Sequence, residues 1–201
     1  MVCPDLIENE SVNVDARKRA RKILEEIGSA GSYSPSLGIH SIRENVAKFI
    51  AREDNVPQPS VDDIFLCEGA SQGVHVLFNT LIGNKDDSVM IPVPLYPLFS
   101  AAINLNGGSI TPYYMDEDNG WQLSVEKMEK ALDESEKEGK NVKALVIINP
   151  GNPTGSILSA ESIEKVIEFA VKNRLVLIAD EVYRENIYNE GKQFVSFRSV
   201  L

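Results

Sequence analysis

Short apolar runs recur along the second part of the chain, each bounded by polar or turn-forming residues. They show no alternation of apolar and polar positions, which is typical of strands that are buried on both faces of a parallel sheet. The predicted strands are Ile64–Cys67, Val89–Val93, Ile110–Tyr114, Ala144–Ile148 and Leu175–Ala179.

Segments with the apolar spacing of helices separate these runs. The predicted helices are Val74–Ile82, a turn and helix within Pro94–Leu105, Ser124–Glu138, and a helix that Ser159 caps. Strands that alternate with helices favour an α/β fold, here a doubly wound and mostly parallel sheet with helices on both faces. In such sheets, ligands bind beyond the carboxyl ends of the strands.

The first part of the chain has a helical pattern only. Asp15 is predicted to cap one helix, and Ser41 with Glu44 is predicted to form a capping box that opens a second. A proline-rich connection follows. We therefore divide the chain into an N-terminal helical segment, residues 1–55, and an α/β domain, residues 56–201.

Composition narrows the classes of function. The net charge of −10 and the pI near 4.8 disfavour binding to nucleic acid or to an anionic membrane surface. Cys3 and Cys67 make neither a disulfide framework nor a zinc site, and they suit a reducing compartment. The N-terminal residues show no signal-peptide pattern, and no apolar run is long enough to span a bilayer. We expect a cytoplasmic protein without a metal site.

Gly69–Gly73 (GASQG) follows the first predicted strand and permits three interpretations. Small residues at a helix N-terminus can hold a phosphate with backbone N–H groups. The pattern also matches the nucleophile elbow of hydrolases, which needs an acid and then a histidine later in the chain. His40 precedes Ser71, and His75 lies one turn after it on the same helix, so no triad can be assembled. Ser71 could also simply cap the helix.

Two further polar loops follow the last two predicted strands. They are Asn149–Gly155 (NPGNPTG) and Asp180–Tyr183 (DEVY). One strand–helix–strand crossover joins the two strands, so the loops should be neighbours at the same sheet edge. A carboxylate directly after an apolar run is costly unless a partner offsets its burial. Each loop alone is an ordinary turn, but together they predict a site with an amide, a carboxylate and a phenol.

The combination of NPGNPTG, ADEVY, GAS and YSPSLGIHSIR resembles the fold-type I, pyridoxal-phosphate-dependent aminotransferases of classes I and II. VPLYPLFSAAINLNGG, PYYMDEDNGW and ADEVYRENIY resemble the alanine aminotransferase subgroup. The resemblance implies pyridoxal 5'-phosphate as cofactor and a homodimer. It also implies ping-pong transfer of an amino group from an amino acid, with alanine favoured, to a 2-oxo acid such as 2-oxoglutarate. Residues 1–55 would then belong to the small domain and dimer arm, and residues 56–201 to the large domain.

The resemblance implies roles for four residues around the cofactor ring. Asp180 would pair with the protonated pyridine nitrogen, which keeps the ring an electron acceptor. Asn152 and Tyr183 would hydrogen-bond the phenolic oxygen of the ring. Tyr96 would stack on the ring face.

Four further residues would bind the phosphate group of the cofactor, again by resemblance. Gly69, Ala70 and Ser71 match the positions that hold it with backbone amides and a hydroxyl. Tyr33 matches a tyrosine that reaches the phosphate bound by the other subunit of the dimer.

The Schiff-base lysine of the family belongs to a serine-rich motif that this chain does not contain. Lys192 is the only lysine after Asp180 and falls in a predicted exposed turn, so we assign no catalytic residue. In the family, two later strands also separate the first strand from the one that ends at Asp180, so the first strand would lack neighbours. We expect a partial transaminase chain that is inactive alone. The alternative is a non-catalytic remnant of the fold with an interaction or regulatory role.

Overall fold

A computed structural model describes residues 4–28, 33–188 and 190–201. The chain divides into two compact units, Met1–Cys67 and Glu68–Leu201. Cys3 lies outside the described residues. In the described parts of the chain, every helix is too short or too polar to cross a membrane. The predicted boundary between residues 55 and 56 stays a prediction about domains of the whole protein.

The first unit contains helices α1 (Val14–Ile27) and α2 (His40–Asp54), so both predicted helices are confirmed. Their predicted caps are wrong. Asn13, not Asp15, caps α1: its side chain accepts the Asp15 N–H at 2.8 Å. Helix α2 begins before Ser41 and has no side-chain cap.

The predicted capping box fails because another carboxylate takes its donor. The Ser41 N–H donates to both oxygens of Glu26, from the end of α1, at 3.1 and 3.3 Å. A hydrogen bond from the Ser41 hydroxyl contributes most to lowering the pKa of Glu26, and the bonds from the Ser41 N–H lower it further. A long-range carboxylate has therefore replaced the local reciprocal pair that the sequence pattern predicts.

The second unit contains a four-stranded, all-parallel sheet in the order β2-β1-β3-β4. The strands are β1 (Asp87–Val93), β2 (Ser109–Tyr114), β3 (Asn141–Ile148) and β4 (Val176–Asp180). Each coincides with a predicted strand within a few residues. The doubly wound α/β architecture is thereby confirmed.

The remaining predicted strand, Ile64–Cys67, is wrong. Ile64 has extended backbone angles, but the segment belongs to no strand. Its Leu66 N–H donates to the Leu37 carbonyl at 2.9 Å, within the first unit. An extended apolar segment becomes a strand only when a neighbouring strand pairs with it, and none of the described strands does so.

Helices cover both faces of the sheet. They are α3 (Ala70–Leu81), α4 (Leu98–Leu105), α5 (Val125–Lys137), α6 (Ala160–Lys172) and the short α7 (Phe197–Val200). Helices α3 and α4 pack on one face, where Phe78 and Phe99 meet edge to face with ring centroids 6.3 Å apart. Helices α5, α6 and α7 pack on the other face. Fully burying a side chain such as Phe78 contributes about 2–3 kcal/mol, which holds α3 against the sheet.

Strands β1 and β3 diverge toward their carboxyl ends. Their pairing ends at Met90 and Leu145, although both strands continue. Beyond that point the buried Tyr113 hydroxyl donates to the Val146 carbonyl at 2.7 Å, and burial raises the pKa of Tyr113. The divergence lies where the chain order reverses, which is where doubly wound sheets open to ligands.

Candidate active site

A cavity of about 300 Å³ opens beyond the carboxyl ends of β3 and β4. The start of α3, the loop before α4 and the loops after the two strands all contribute to it. Its lining residues are Ala70, Ser71, Tyr96, Leu98, Ile148, Asn152, Asp180, Val182 and Tyr183. Six of the eight residues predicted for a cofactor site thus surround one space, and Gly69 directly precedes Ala70.

The loop after β3 is shaped to project Asn152. Gly151 has no room for a Cβ against the hydroxyls of Thr154 and Ser156, and Gly155 has a φ of +67°. The Gly151 N–H donates to the Ser156 carbonyl at 2.9 Å, and the Gly155 N–H donates to the Gly151 carbonyl at 2.8 Å. Gly155 thus adopts a backbone conformation that favours glycine, and a side chain at Gly151 would displace the two hydroxyls.

The two loops after β3 and β4 are neighbours, as the crossover argument predicts. Ile148 and Asp180 are register partners at the ends of these strands. The Asn152 amide donates to the Tyr183 hydroxyl at 3.4 Å. An amide from one loop and a phenol from the other thus meet at the cavity.

Asp180 is the acidic residue of the cavity, and its pKa is shifted. Its carboxylate is half-buried and accepts the Val182 N–H at 3.2 Å. Burial raises the pKa of Asp180, and the hydrogen bond from Val182 opposes this only in part. In the part of the chain that the structure describes, no cationic side chain lines the cavity. A protonated ring nitrogen would supply the missing partner and stabilise the ionised carboxylate.

The start of α3 favours an anion, whereas Asp180 favours a cation. Gly69 is the N-cap residue, with a φ of +87°, and as a glycine it has no side chain of its own to cap this end. The first N–H groups of a helix have no acceptor within the helix, and its dipole favours an anion there. The exposed Ser71 hydroxyl adds a further donor.

The structure does not support the interpretation of GASQG as the nucleophile elbow of a hydrolase. A nucleophile elbow places its serine between a strand and a helix. Ser71 instead lies in the first turn of α3, and residues 64–67 are not a strand. None of the residues that line the cavity is a histidine.

The structure adds three apolar residues that the sequence patterns had not singled out. Leu98, Ile148 and Val182 line the cavity beside the aromatic ring of Tyr96. Ile148 is the last residue of a predicted strand, and Val182 lies two residues after Asp180, so position at a strand end is the signal that could have found them. They give the cavity apolar walls that suit a flat ring.

Tyr33 belongs to the first unit, where its side chain is fully exposed. Its predicted contact with the cofactor phosphate of another subunit stays a prediction. Among the residues that the structure describes, no group of three or more His, Cys, Asp or Glu side chains is placed to hold a metal ion.

Comparison with known proteins identifies the family. Residues 5–200 match the family described as aminotransferase class I and II. The chain belongs to the class I and II aminotransferases. Alanine aminotransferase 2 of Panicum miliaceum is 44% identical over 203 residues, which cover 98% of this chain and 42% of that protein.

Two further relatives bear on specificity and fold. Glutamate–glyoxylate aminotransferase 1 of Arabidopsis thaliana is 41% identical over 98% of this chain and 42% of its own length. The crystal structure of an aminotransferase from Escherichia coli has a TM-score of 0.72 and 26% identity, covering 90% of this chain and 43% of that one. The chain thus spans about two fifths of the length of the relatives that it matches.

Members of this aminotransferase family depend on pyridoxal phosphate. The residues at the cavity suit that molecule: a helix N-terminus and a hydroxyl for the phosphate, apolar and aromatic walls for the ring, and a carboxylate for the ring nitrogen. An amide and a phenol remain for its hydroxyl group. The set of donors and acceptors therefore fits the cofactor of the family.

Proposed function

We propose that the natural protein containing this chain is a pyridoxal-phosphate-dependent alanine aminotransferase. It would move the amino group of alanine to 2-oxoglutarate in a ping-pong reaction. The observation that supports this most strongly is the cavity that brings Ser71, Asn152, Asp180 and Tyr183 together in a chain of this family. The identity to alanine aminotransferases supports the choice of substrates.

Each residue at the cavity has a defined task in this proposal. Asp180 would accept a hydrogen bond from the protonated ring nitrogen, and its negative charge would keep that nitrogen protonated. The bound cofactor then supplies an electron-accepting ring that stabilises negative charge at the reacting carbon of the substrate. Asn152 and Tyr183 orient the ring through its hydroxyl group, and Ser71 with the start of α3 holds the phosphate.

The proton at the reacting carbon must be moved by a base that these residues do not provide. No lysine among the described residues lines the cavity. We propose that a lysine from outside these 201 residues would help to hold the cofactor and would carry the proton. The 201-residue chain alone would then bind the cofactor weakly and transfer no amino group.

The test uses two proteins: the product of the complete coding sequence and the 201-residue chain. Pyruvate formation from alanine and 2-oxoglutarate is measured, and cofactor binding is followed by absorption. We expect transfer by the first protein and none by the second. A complete protein that binds pyridoxal phosphate but transfers no amino group from any amino acid would favour the non-catalytic alternative.

The substrate assignment has its own control. The same protein is assayed with glutamate and glyoxylate, the pair in the name of the Arabidopsis relative. A higher kcat/KM with that pair would overturn alanine as the preferred donor and leave the transaminase proposal intact.

We also propose that the complete protein is a cytoplasmic homodimer in which Tyr33 contacts the phosphate bound by its partner. Sedimentation measures the assembly, and the dissociation constant of the cofactor is compared between the wild type and Tyr33→Phe. A monomer with full cofactor affinity would contradict the dimer and this role of Tyr33.

A further inference from the structure

Asn149 is a fully buried amide at the first position of the loop after β3. It does not line the cavity, and the family resemblance gives it no role. Its hydrogen bonds reach three separate segments of the second unit. Two of these bonds come from the side chain and one from the backbone N–H, and a buried polar side chain whose bonds reach the loops of a site calls for an explanation.

The first bond joins Asn149 to strand β4. The Asn149 N–H donates to the Asp180 carbonyl at 2.9 Å. The start of the loop that carries Asn152 is therefore attached to the residue that carries the site carboxylate.

The second bond closes the loop itself. The Asn149 side-chain oxygen accepts the Leu158 N–H at 3.1 Å. Leu158 is buried, so its N–H has no access to water as an alternative partner. The two ends of the segment from 149 to 158 are thus held together at its base, with Asn152 at its tip.

The third bond reaches the chain that returns after Tyr183. The Asn149 side-chain nitrogen donates to the Val195 carbonyl at 3.3 Å. Two residues further on, the Phe197 N–H donates to the Glu181 carboxylate at 2.7 Å. The segment that contains Tyr183 therefore leaves the end of β4 and returns to it. The Asn149 side chain contacts this segment where it returns, at Val195.

We propose that Asn149 is a positioning residue that sets Asn152 and Tyr183 relative to Asp180. The amide suits this role because its nitrogen donates to one loop while its oxygen accepts from the other, whereas a carboxylate at neutral pH can only accept. The inference rests on the proposed function for its effect on cofactor binding. Its effect on the two loops does not depend on that function.

The test compares Asn149→Ala with the wild type in the product of the complete coding sequence. Hydrogen–deuterium exchange is measured without cofactor, and we expect faster exchange in residues 150–158 and 182–195 together. With pyridoxal phosphate we expect about tenfold weaker binding, because the groups that meet the ring no longer hold one arrangement. The absorption spectrum of the bound cofactor is also titrated against pH, and the midpoint of this titration should differ from that of the wild type.

Asn149→Asp separates the two side-chain bonds. It keeps an acceptor for the Leu158 N–H but loses the donor to the Val195 carbonyl. We expect faster exchange in residues 182–195 only. Asn149→Asp also buries a carboxylate, so Asn149→Ser, which shortens the side chain without adding a charge, keeps the proposal testable if neither variant folds; it should speed exchange in both segments. Unchanged exchange in 182–195 with Asn149→Asp would overturn the proposal.

Thr111→Val is the matched control for loss of a buried hydrogen bond. Thr111 is buried, and its hydroxyl bonds those of Ser88 and Ser135 at 2.7 and 2.6 Å, away from the cavity. We expect a lower melting temperature with unchanged loop exchange and an unchanged absorption midpoint. If Thr111→Val moves the midpoint as far as Asn149→Ala does, the role of Asn149 is merely structural.

The outcomes distinguish the inference from the proposed function. A wild type that binds no pyridoxal phosphate contradicts the proposed function, and the exchange data still decide the role of Asn149. A wild type that binds the cofactor, with an Asn149→Ala variant that binds equally well, contradicts only the inference.

Discussion

Asp87 and Asp180 lie at opposite ends of the strands, at the amino edge and the carboxyl edge of the same parallel sheet, and their pKa values are shifted in opposite directions. Asp87 begins β1, and four groups converge on its carboxylate. They are the Gly83 N–H at 2.9 Å, the Asn84 and Asn141 amides at 3.2 and 2.9 Å, and the Lys143 ammonium at 3.4 Å. The Gly83 N–H contributes most to lowering the pKa of Asp87. The amino edge of the sheet thus fully satisfies its carboxylate.

Asp180 ends β4 at the carboxyl edge, where the chain supplies it with the Val182 N–H. Burial raises its pKa. At the amino edge the polar groups of the chain bind one another and stabilise the fold, whereas at the carboxyl edge a carboxylate remains available to a ligand. A carboxylate that has no cationic partner among the residues that the structure describes marks the functional edge, since shifted pKa values gather at such sites.

The largest expected effect is that of Asp180→Asn on the complete protein. The amide cannot hold a proton on the ring nitrogen by charge, so we expect kcat to fall on the order of a hundredfold. Steady-state kinetics with alanine and 2-oxoglutarate measures the change. Turnover equal to that of the wild type would show that the Asp180 carboxylate has no role in the reaction.

Asp87→Asn tests the structural half and serves as the matched control. The amide keeps the shape of the side chain but loses the charge that attracts Lys143, and it turns one acceptor into a donor. We expect a melting temperature lower by roughly 3–6 °C with unchanged cofactor affinity. Weaker binding of pyridoxal phosphate by this variant would contradict the separation of the two edges.

Tyr183→Phe should have a smaller effect than Asp180→Asn. It removes the hydroxyl that accepts the Asn152 amide at 3.4 Å and leaves the aromatic ring in the cavity wall. We expect kcat/KM to fall about tenfold, as for the loss of one hydrogen bond to a reacting group. The absorption spectrum of the bound cofactor, titrated against pH, should shift as well; an unshifted titration would argue against contact between Tyr183 and the ring.

The smallest effect is on the stability of the cofactor-free protein and depends on pH. Because the pKa of Asp180 is raised on folding, its ionisation opposes folding above that pKa and not below the ordinary value of about 4. Asp180→Asn should therefore raise the melting temperature slightly at neutral pH, and the gain should vanish below about pH 4.

The opposite pH dependence is expected for Asp87. Its pKa is lowered on folding, so its contribution is present above the ordinary value and is lost as the pH falls through the lowered one. The loss of melting temperature in Asp87→Asn should shrink on acidification. Parallel pH profiles for the two variants would show that the edges do not differ as we describe.

Much of the candidate site was accessible from the sequence because its residues follow strands. The apolar runs before Asn149 and Asp180 predicted β3 and β4, and a single crossover between them predicted that their loops would meet. The Asn152–Tyr183 contact confirms that argument. Ser159 also caps α6 as predicted, because an N-cap is a local interaction over three residues, and Ser124, predicted only to begin its helix, caps α5 in the same way.

The predictions that failed all depended on a distant partner. Ser41 did not form a capping box because Glu26, from another helix, binds its N–H. Ile64–Cys67 did not become a strand because strand formation requires a neighbour that local pattern does not reveal. The same holds for Asn149, whose letter in NPGNPTG does not distinguish a residue of the cavity from one that ties three segments together beneath it.

The α/β class, four of the strands and the residue types at their carboxyl ends follow from local pattern, because periodicity and local turns decide these. Which donors reach which carboxylate depends instead on the packing of distant segments. Hydrogen bonds and burial depend on distances of a few ångströms between segments far apart in the chain. For that reason Asp87 and Asp180, alike as letters, became a satisfied structural carboxylate and one that is available to a ligand.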